Sequence, residues 1–416
     1  MTPADSAPPA APEAASSEPA SSAQPVFSPL HDTHVAAGAL FTDFAGWQMP
    51  VRYTSDLAEH HAVRMAAGLF DLSHMAELAV RGPQAAEFLD YALAGKLSAT
   101  AVGQAKYSML LAESGGIIDD VVVYRLADDD FLVVANAGNH EVAYNTLLER
   151  AAAFDVTVAD ESDGVALIAV QGPRALEILM NTAGLVTPDA RDLAALKYYW
   201  SQPATYAGED LLVARTGYTG EDGFELYTPV ALATQLWADL MAAGEPFGLV
   251  PAGLAARDTL RLEAGMPLYG HELGLDTLPA QAGLGRVPNL SKGDFVGRAA
   301  LERASSNPTS AHERVLVGLL GDGKRAARAG YELFAADAAS ADANGADAAG
   351  AETGARAQPI GVVTSGVLSP TLGLPVAMAY IDPRYSTADT LVWVDVRGKR
   401  LPFRITPLPF YSRKRD

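Results

Sequence analysis

Leu78-Ala79-Val80-Arg81-Gly82-Pro83 runs into Ala85–Leu93, and further along Ile168-Ala169-Val170-Gln171-Gly172-Pro173 runs into Ala175–Met180. Each run reads as an apolar strand, a glycine turn, a proline close to the first helical turn, and a helix. They are either two copies of one β-Gly-Pro-α unit or two unrelated strand-to-helix turns. In both cases the chain mixes strands and helices along its length, and an α+β fold is expected.

Other signals agree. Asp56-Leu57-Ala58-Glu59 has capping-box spacing with Asp as the cap and opens a helix. Val121–Tyr124 and Phe131–Asn136 read as strands joined by the acidic turn Asp128-Asp129-Asp130. Beyond about residue 306 the texture changes. Val315–Leu320, Ile360–Thr364, Val376–Ile381, Leu391–Val396 and Leu401–Ile405 are short β-rich runs with Gly and Pro between them, which predicts a separate all-β domain. Two segments lack the apolar side chains a core requires. Residues 1–27 are rich in Ala, Pro, Ser and Glu and read as a disordered tail; residues 335–358 are mostly Ala, Asp and Gly and read as a solvated hairpin insertion.

Composition narrows the chemistry. The 416 residues carry a formal net charge of −20, against a basic nucleic-acid footprint. The absence of cysteine excludes disulfides, thiolate nucleophiles and zinc-thiolate sites. The first basic residue is Arg52, and no apolar run approaches the ~20 residues of a membrane helix, so neither a secretory signal nor a transit peptide is expected and the reading is cytoplasmic. The histidines show no metal-ligand spacing, and there is neither a dinucleotide G-x-G-x-x-G after a strand nor a G-x-S-x-G elbow.

Three stretches can carry chemistry. In Gly115-Gly116-Ile117-Ile118-Asp119-Asp120-Val121-Val122-Val123-Tyr124, two acids interrupt an apolar strand. Neighbouring side chains in a strand face opposite ways, so one Asp can point into a cavity while the other points away. A carboxylate against apolar walls has a raised pKa and can serve as acid, base or cation stabiliser. The plain alternative is that both acids cap a turn. In Arg215-Thr216-Gly217-Tyr218-Thr219-Gly220-Glu221-Asp222-Gly223-Phe224-Glu225-Leu226, the glycines mark a tight turn or a close approach to a ligand. Tyr218 can stack on a flat ring and Glu225 can accept from an amino-heterocycle, or the stretch is only a glycine-rich hairpin. Pro251–Gly265 reads as a helix closed by Gly265, with Arg257 and Arg261 on one face. Among small alanines Arg257 suits a carboxylate or planar heterocycle, whereas Arg261 is expected to pair internally with Asp258 or Glu263.

Taken in order, these segments resemble the aminomethyltransferase family, the T-proteins of the glycine cleavage system. The resemblance runs from about Leu30 to Tyr411. Besides the three stretches it rests on Phe44-Ala45-Gly46-Trp47-Gln48-Met49-Pro50-Val51, Gly68-Leu69-Phe70-Asp71-Leu72-Ser73-His74-Met75, Asn136-Ala137-Gly138, Gly293-Asp294-Phe295-Val296-Gly297-Arg298, Val363-Thr364-Ser365-Gly366 and Ala377-Met378-Ala379-Tyr380. Each piece is weak; the ordered set is specific.

The resemblance implies a three-domain cloverleaf around a central folate channel with a C-terminal β-barrel-like domain. Residues 28–70 and 156–255 are expected to form the first domain, 71–155 and 256–305 the folate-binding second, and 306–416 the third. The implied reaction moves the methylene carbon of an aminomethyl group, carried on the dihydrolipoyl arm of H-protein, to tetrahydrofolate, giving 5,10-methylenetetrahydrofolate and ammonia. By resemblance the functional acid is Asp120, ligand contacts fall on Glu225, Arg257 and Tyr411, and Met75, Tyr107, Val134, Asn136 and Tyr218 match weaker pocket positions. No metal is implied. Gln281 and Arg286 depart from a Glu and a Trp that many members carry. Two rival readings stay open: folate-dependent demethylation of a small amine or sulfonium compound, and non-catalytic folate binding. Relatives in iron–sulfur assembly carry a cysteine motif that this chain lacks.

Overall fold

The computed structural model describes residues 24–188, 192–306, 314–336 and 358–413. Most of the predicted tail (1–23) and insertion (337–357) lie outside the described residues. The end of the predicted tail does not follow the expectation. Val26 and Phe27 pair in parallel with Trp47 and Gln48, and the Phe27 ring lies 4.5 Å from that of His31. The reason is side-chain chemistry: these are the first adjacent large apolar residues in the chain. Deleting residues 1–23 is therefore expected to leave the melting temperature unchanged, whereas deletion through Phe27 lowers it in a thermal unfolding assay.

Two sheets form the body of the molecule. A seven-stranded sheet contains strands Ala67–Asp71, Val165–Gln171, Glu209–Ala214 and Gly223–Pro229; a five-stranded antiparallel sheet contains Ala76–Arg81, Ala105–Leu111, Ile117–Arg125, Asp130–Ala135 and Thr157–Asp160. Each is covered on its outer face by helices. Ala175–Asn181 and Ala233–Gly244 pack on the first around Ile168, Val170, Phe224 and Leu226. Ala85–Ala92 and His140–Ala151 pack on the second around Leu78, Val80, Val121 and Phe131. The inner faces meet through Phe70, Leu72, Tyr124, Leu132, Val134, Leu167, Ala169 and Tyr227. The alternation along each strand makes this possible, since odd and even residues serve opposite faces.

The two strand-to-helix units lie one in each sheet. Gly82 and Gly172 have φ of +138° and +139°, and a Cβ on either would lie within 2.6 Å of a backbone carbonyl. The proline stands one residue before each N-cap, Gln84 and Arg174, rather than at the first helical position. The helix at Asp56–Met65 is capped one residue earlier than its sequence suggests. The Ser55 side chain accepts from the Ala58 N–H, while Glu59 accepts from the N–H groups of Tyr53, Thr54 and Gly253.

The C-terminal strands close a six-stranded barrel, Val315–Gly321, Pro375–Ile381, Gly361–Leu368, Glu332–Ala335, Leu391–Val396 and Lys399–Thr406 in spatial order. Ala335, predicted to begin the insertion, is buried and ends a strand opposite Val392. The barrel packs on helix Leu254–Glu263 through Leu262, Val367, Val376 and Met378. Among the described residues no helix is long and apolar enough to cross a membrane.

Candidate functional site

A cavity of about 530 Å3 lies between the inner faces of the two sheets, within the usual size of a small-molecule site. Asp120, Val122, Tyr124 and Val134 line it from the five-stranded sheet and Asn136 from just past it; Leu167, Glu225 and Tyr227 line it from the seven-stranded sheet; Arg257 closes it from helix Leu254–Glu263 and Gly265–Tyr269 from the segment after that helix. Met75, Tyr107 and Tyr218 also reach it. Eight of the nine residues singled out from sequence thus share one cavity.

Strand parity separates the two acids. Asp120 points into the cavity with Val122 and Tyr124, whereas Asp119 is fully buried on the side of Val121 and Val123, which pack under the helices. Asp120 accepts from the Tyr107 hydroxyl at 3.0 Å and from the Asn136 amide at 2.9 Å. Burial pushes its carboxyl above the ordinary range, and these two hydrogen bonds hold it down in part. A carboxyl raised in this way is suited to proton transfer.

Glu225 accepts from the hydroxyls of Thr216 and Tyr124, the latter at 3.3 Å, and Tyr227 donates to Tyr124 at 3.1 Å. Burial raises its carboxyl as well, against those bonds and the nearby positive charge of Arg257. The Arg257 guanidinium lies 4.8 Å over the Tyr218 ring. Arg261 on the same face is spent internally on Asp258 and Glu272, at 2.8 and 3.0 Å, and on the Ser365 hydroxyl. The Tyr218 hydroxyl donates to the carbonyl of Pro267.

The glycine-dense turn has a structural cause on one side. The Gln171 amide fills the space beside Gly217 and Gly223, where a Cβ would come within 2.0 and 2.4 Å of it. Gln171 ties the turn by donating to Thr216 O and accepting from the Thr219 hydroxyl. The other side of the turn presents Thr216, Gly217 and Tyr218 to the cavity.

Tyr411 stands apart from the lining residues. Its ring stacks under the Arg64 guanidinium at 4.1 Å, and its N–H donates to Glu263 O. Arg64 is held there by Glu221 and Glu263 at 2.9 Å each. Tyr411 covers this buried cation and is not among the residues that line the cavity.

Several lining residues were not singled out from sequence, Tyr199 and His74 among them. Tyr199 has a left-handed backbone, φ +64°, rare for an aromatic residue. Its carbonyl accepts from Ala105 N and its N–H donates to Arg215 O, which links the two sheets. No signal in the chain marks that conformation, although the run Tyr198-Tyr199-Trp200 is aromatic. His74 is buried on the cavity wall beside Phe44, and burial depresses its imidazole to about 4, so it is neutral near pH 7.

Known proteins point the same way. Residues 30–292 match the family model described as the GCVT N-terminal domain, and residues 314–412 that of the glycine cleavage T-protein C-terminal barrel domain. The chain is 54% identical to the aminomethyltransferase of Cutibacterium acnes over 388 residues, which cover 92% of this chain and 98% of that protein. It is 51% identical to the aminomethyltransferase of Streptomyces coelicolor, with 93% and 97% covered. The crystal structure of glycine cleavage system aminomethyltransferase T from Bartonella henselae superposes with a TM-score of 0.80 at 37% identity, covering 93% of this chain and 98% of that one.

Proposed function

The chain belongs to the glycine cleavage T-protein family, and we propose how its cavity carries out that family's reaction. It is an aminomethyltransferase that uses tetrahydrofolate as one-carbon acceptor. The donor in this proposal is the aminomethyl group on the dihydrolipoyl arm of H-protein, and the setting is the cytoplasm. The observation that carries the residue roles is the presence of Asp120, Glu225 and Arg257 on three walls of one apolar cavity.

Glu225 accepts hydrogen bonds from the amino edge of the pterin, and Arg257 over Tyr218 faces a polar edge or the flat ring system. Asp120 works at the reacting carbon. As the C–S bond breaks, the amine lone pair forms an iminium and the thiolate leaves, and the Asp120 carboxylate stabilises the positive charge. The folate nitrogens then attack the carbon in turn. Their two protons are taken up by the thiolate and the departing amine, which leaves as ammonia, and Asp120 can relay one of them. Holding the two reactants in one cavity contributes on the order of 7–11 kcal/mol in favourable cases.

The net charge of −20 gives no global attraction to an acidic carrier, so docking needs a local basic group. Arg286 is exposed two residues from Leu284 on the cavity wall and fills that role. Gln281, the other departure, donates to Arg314 O and accepts from Leu278 N, joining this loop to the barrel entry. The test is ammonia release from aminomethylated H-protein compared with methylated amine and sulfonium donors. The carrier-bound donor is expected to be used, and Arg286→Glu to raise its KM without changing folate binding. Efficient use of a free donor and none of the carrier would overturn the proposed donor.

A further inference from the structure

Asp119 does not line the cavity, yet every hydrogen bond it accepts comes from a segment that does. The main-chain N–H of Asn136 donates to its Oδ2 at 3.0 Å, the Asn136 amide to Oδ1 at 2.8 Å, and the Asn139 amide to Oδ1 at 2.6 Å. Residues 136–139 form cavity wall. A fully buried carboxylate is costly unless it is well hydrogen-bonded, and here the three donors tie strand Ile117–Arg125 to that wall.

The Asn136 amide is the shared part. Its Nδ2 lies 2.8 Å from Asp119 Oδ1, 2.9 Å from Asp120 Oδ1 and 3.1 Å from Asp120 O. An amide can be turned two ways, but turning the carbonyl here would set acceptor against acceptor. Asp119 therefore holds the NH2 group toward Asp120. Besides Tyr107, Asn136 is the side-chain donor that fixes the Asp120 carboxylate.

We infer that Asp119 is a positioning residue for the transfer reaction, acting through Asn136 on the orientation of the Asp120 carboxylate. The inference rests on the role proposed for Asp120. It replaces the simplest expectation for two adjacent acids, that the one facing away is indifferent.

The test is a double-mutant cycle on kcat with tetrahydrofolate KM and melting temperature measured alongside. Asp119→Asn is expected to lower kcat by about 10²-fold, the scale of a misplaced catalytic group, with folate KM within about twofold because Glu225 and Arg257 stand on other walls. Asn136→Ala is expected to lower kcat similarly, and the double variant to fall no further than the worse single one. Losses that multiply in the double variant, or an Asp119→Asn effect confined to stability and KM, would make Asp119 a purely structural anchor and overturn the inference. Should Asp119→Asn fail to fold, Asn136→Ala decides alone: unchanged kcat defeats the link. An Asp120→Asn variant run in parallel separates the two claims. If it retains turnover, the role proposed for Asp120 fails; if it is inactive while Asp119→Asn is silent, only the present inference fails.

Discussion

Asp120→Asn is expected to lower turnover by about 10²–10⁴-fold, the range for a positioned proton-transfer group, while the protein stays folded. The substitution keeps shape and removes charge. Asn136 donates to Oδ1 and Tyr107 to Oδ2, so the variant's carbonyl oxygen can keep the bond from Asn136 while its NH2 donates to the Tyr107 hydroxyl, which can also accept. Stability should move the other way from activity. Burial raises the Asp120 carboxyl above its ordinary value, so the folded state binds the proton more tightly than the unfolded chain. The ionised carboxylate thus disfavours folding, by an amount that grows as pH rises from the ordinary carboxylate value through the raised one. Well below about pH 4, where the carboxyl is protonated in both states, wild type and variant should melt together. Toward neutral pH the variant should melt at the same temperature or higher. A variant with normal turnover, or one inactive only because it unfolds, would remove Asp120 from the chemistry.

The second large effect concerns acceptor binding. Glu225→Gln and Arg257→Ala are each expected to weaken tetrahydrofolate binding by about 1–3 kcal/mol, the scale of a lost charged hydrogen bond. The two groups also sense each other: the Arg257 charge lowers the Glu225 carboxyl against its burial, and burial lowers the Arg257 guanidinium while Glu225 opposes that shift. No direct ion pair joins them among the described residues. Their effects on binding should therefore be less than additive in the double variant, because each single change also alters the charge of its neighbour's surroundings. Isothermal titration with tetrahydrofolate reads both. Unchanged affinity with a lowered melting temperature would mean that the pair serves the fold rather than the ligand.

Local rules made much of this architecture legible. Leu391–Val396 alternates and is a barrel strand with the bounds its sequence suggests. Two adjacent acids in an apolar strand had to face opposite ways, and Asp120 faces the cavity. What the sequence could not give was register. Asn136 meets both acids only because strand Asp130–Ala135 pairs beside strand Ile117–Arg125, and nothing local fixes which residues align. The same limit applies to the surroundings of Tyr411. Its neighbour Arg64 is distant in sequence, so nothing local foretold that a buried cation would take its ring. Tyr199 was hidden by conformation, since its left-handed backbone depends on contacts from both sheets. The cap at Ser55 was misread for a smaller reason. Asp56 offered the same cap chemistry one residue later, but Glu59 turns to the N–H groups of Tyr53 and Thr54 instead of closing the box.

The central claim is that this cavity moves one carbon from a carrier-bound aminomethyl group to folate. A single-turnover reaction of the protein with H-protein bearing a carbon-13 aminomethyl group and tetrahydrofolate tests it most directly. The account predicts labelled 5,10-methylenetetrahydrofolate and ammonia in equal amounts, with free dihydrolipoyl left on the carrier and almost no product from Asp120→Asn. Ammonia released without label in the folate, or labelled folate formed equally fast without the protein, would contradict it.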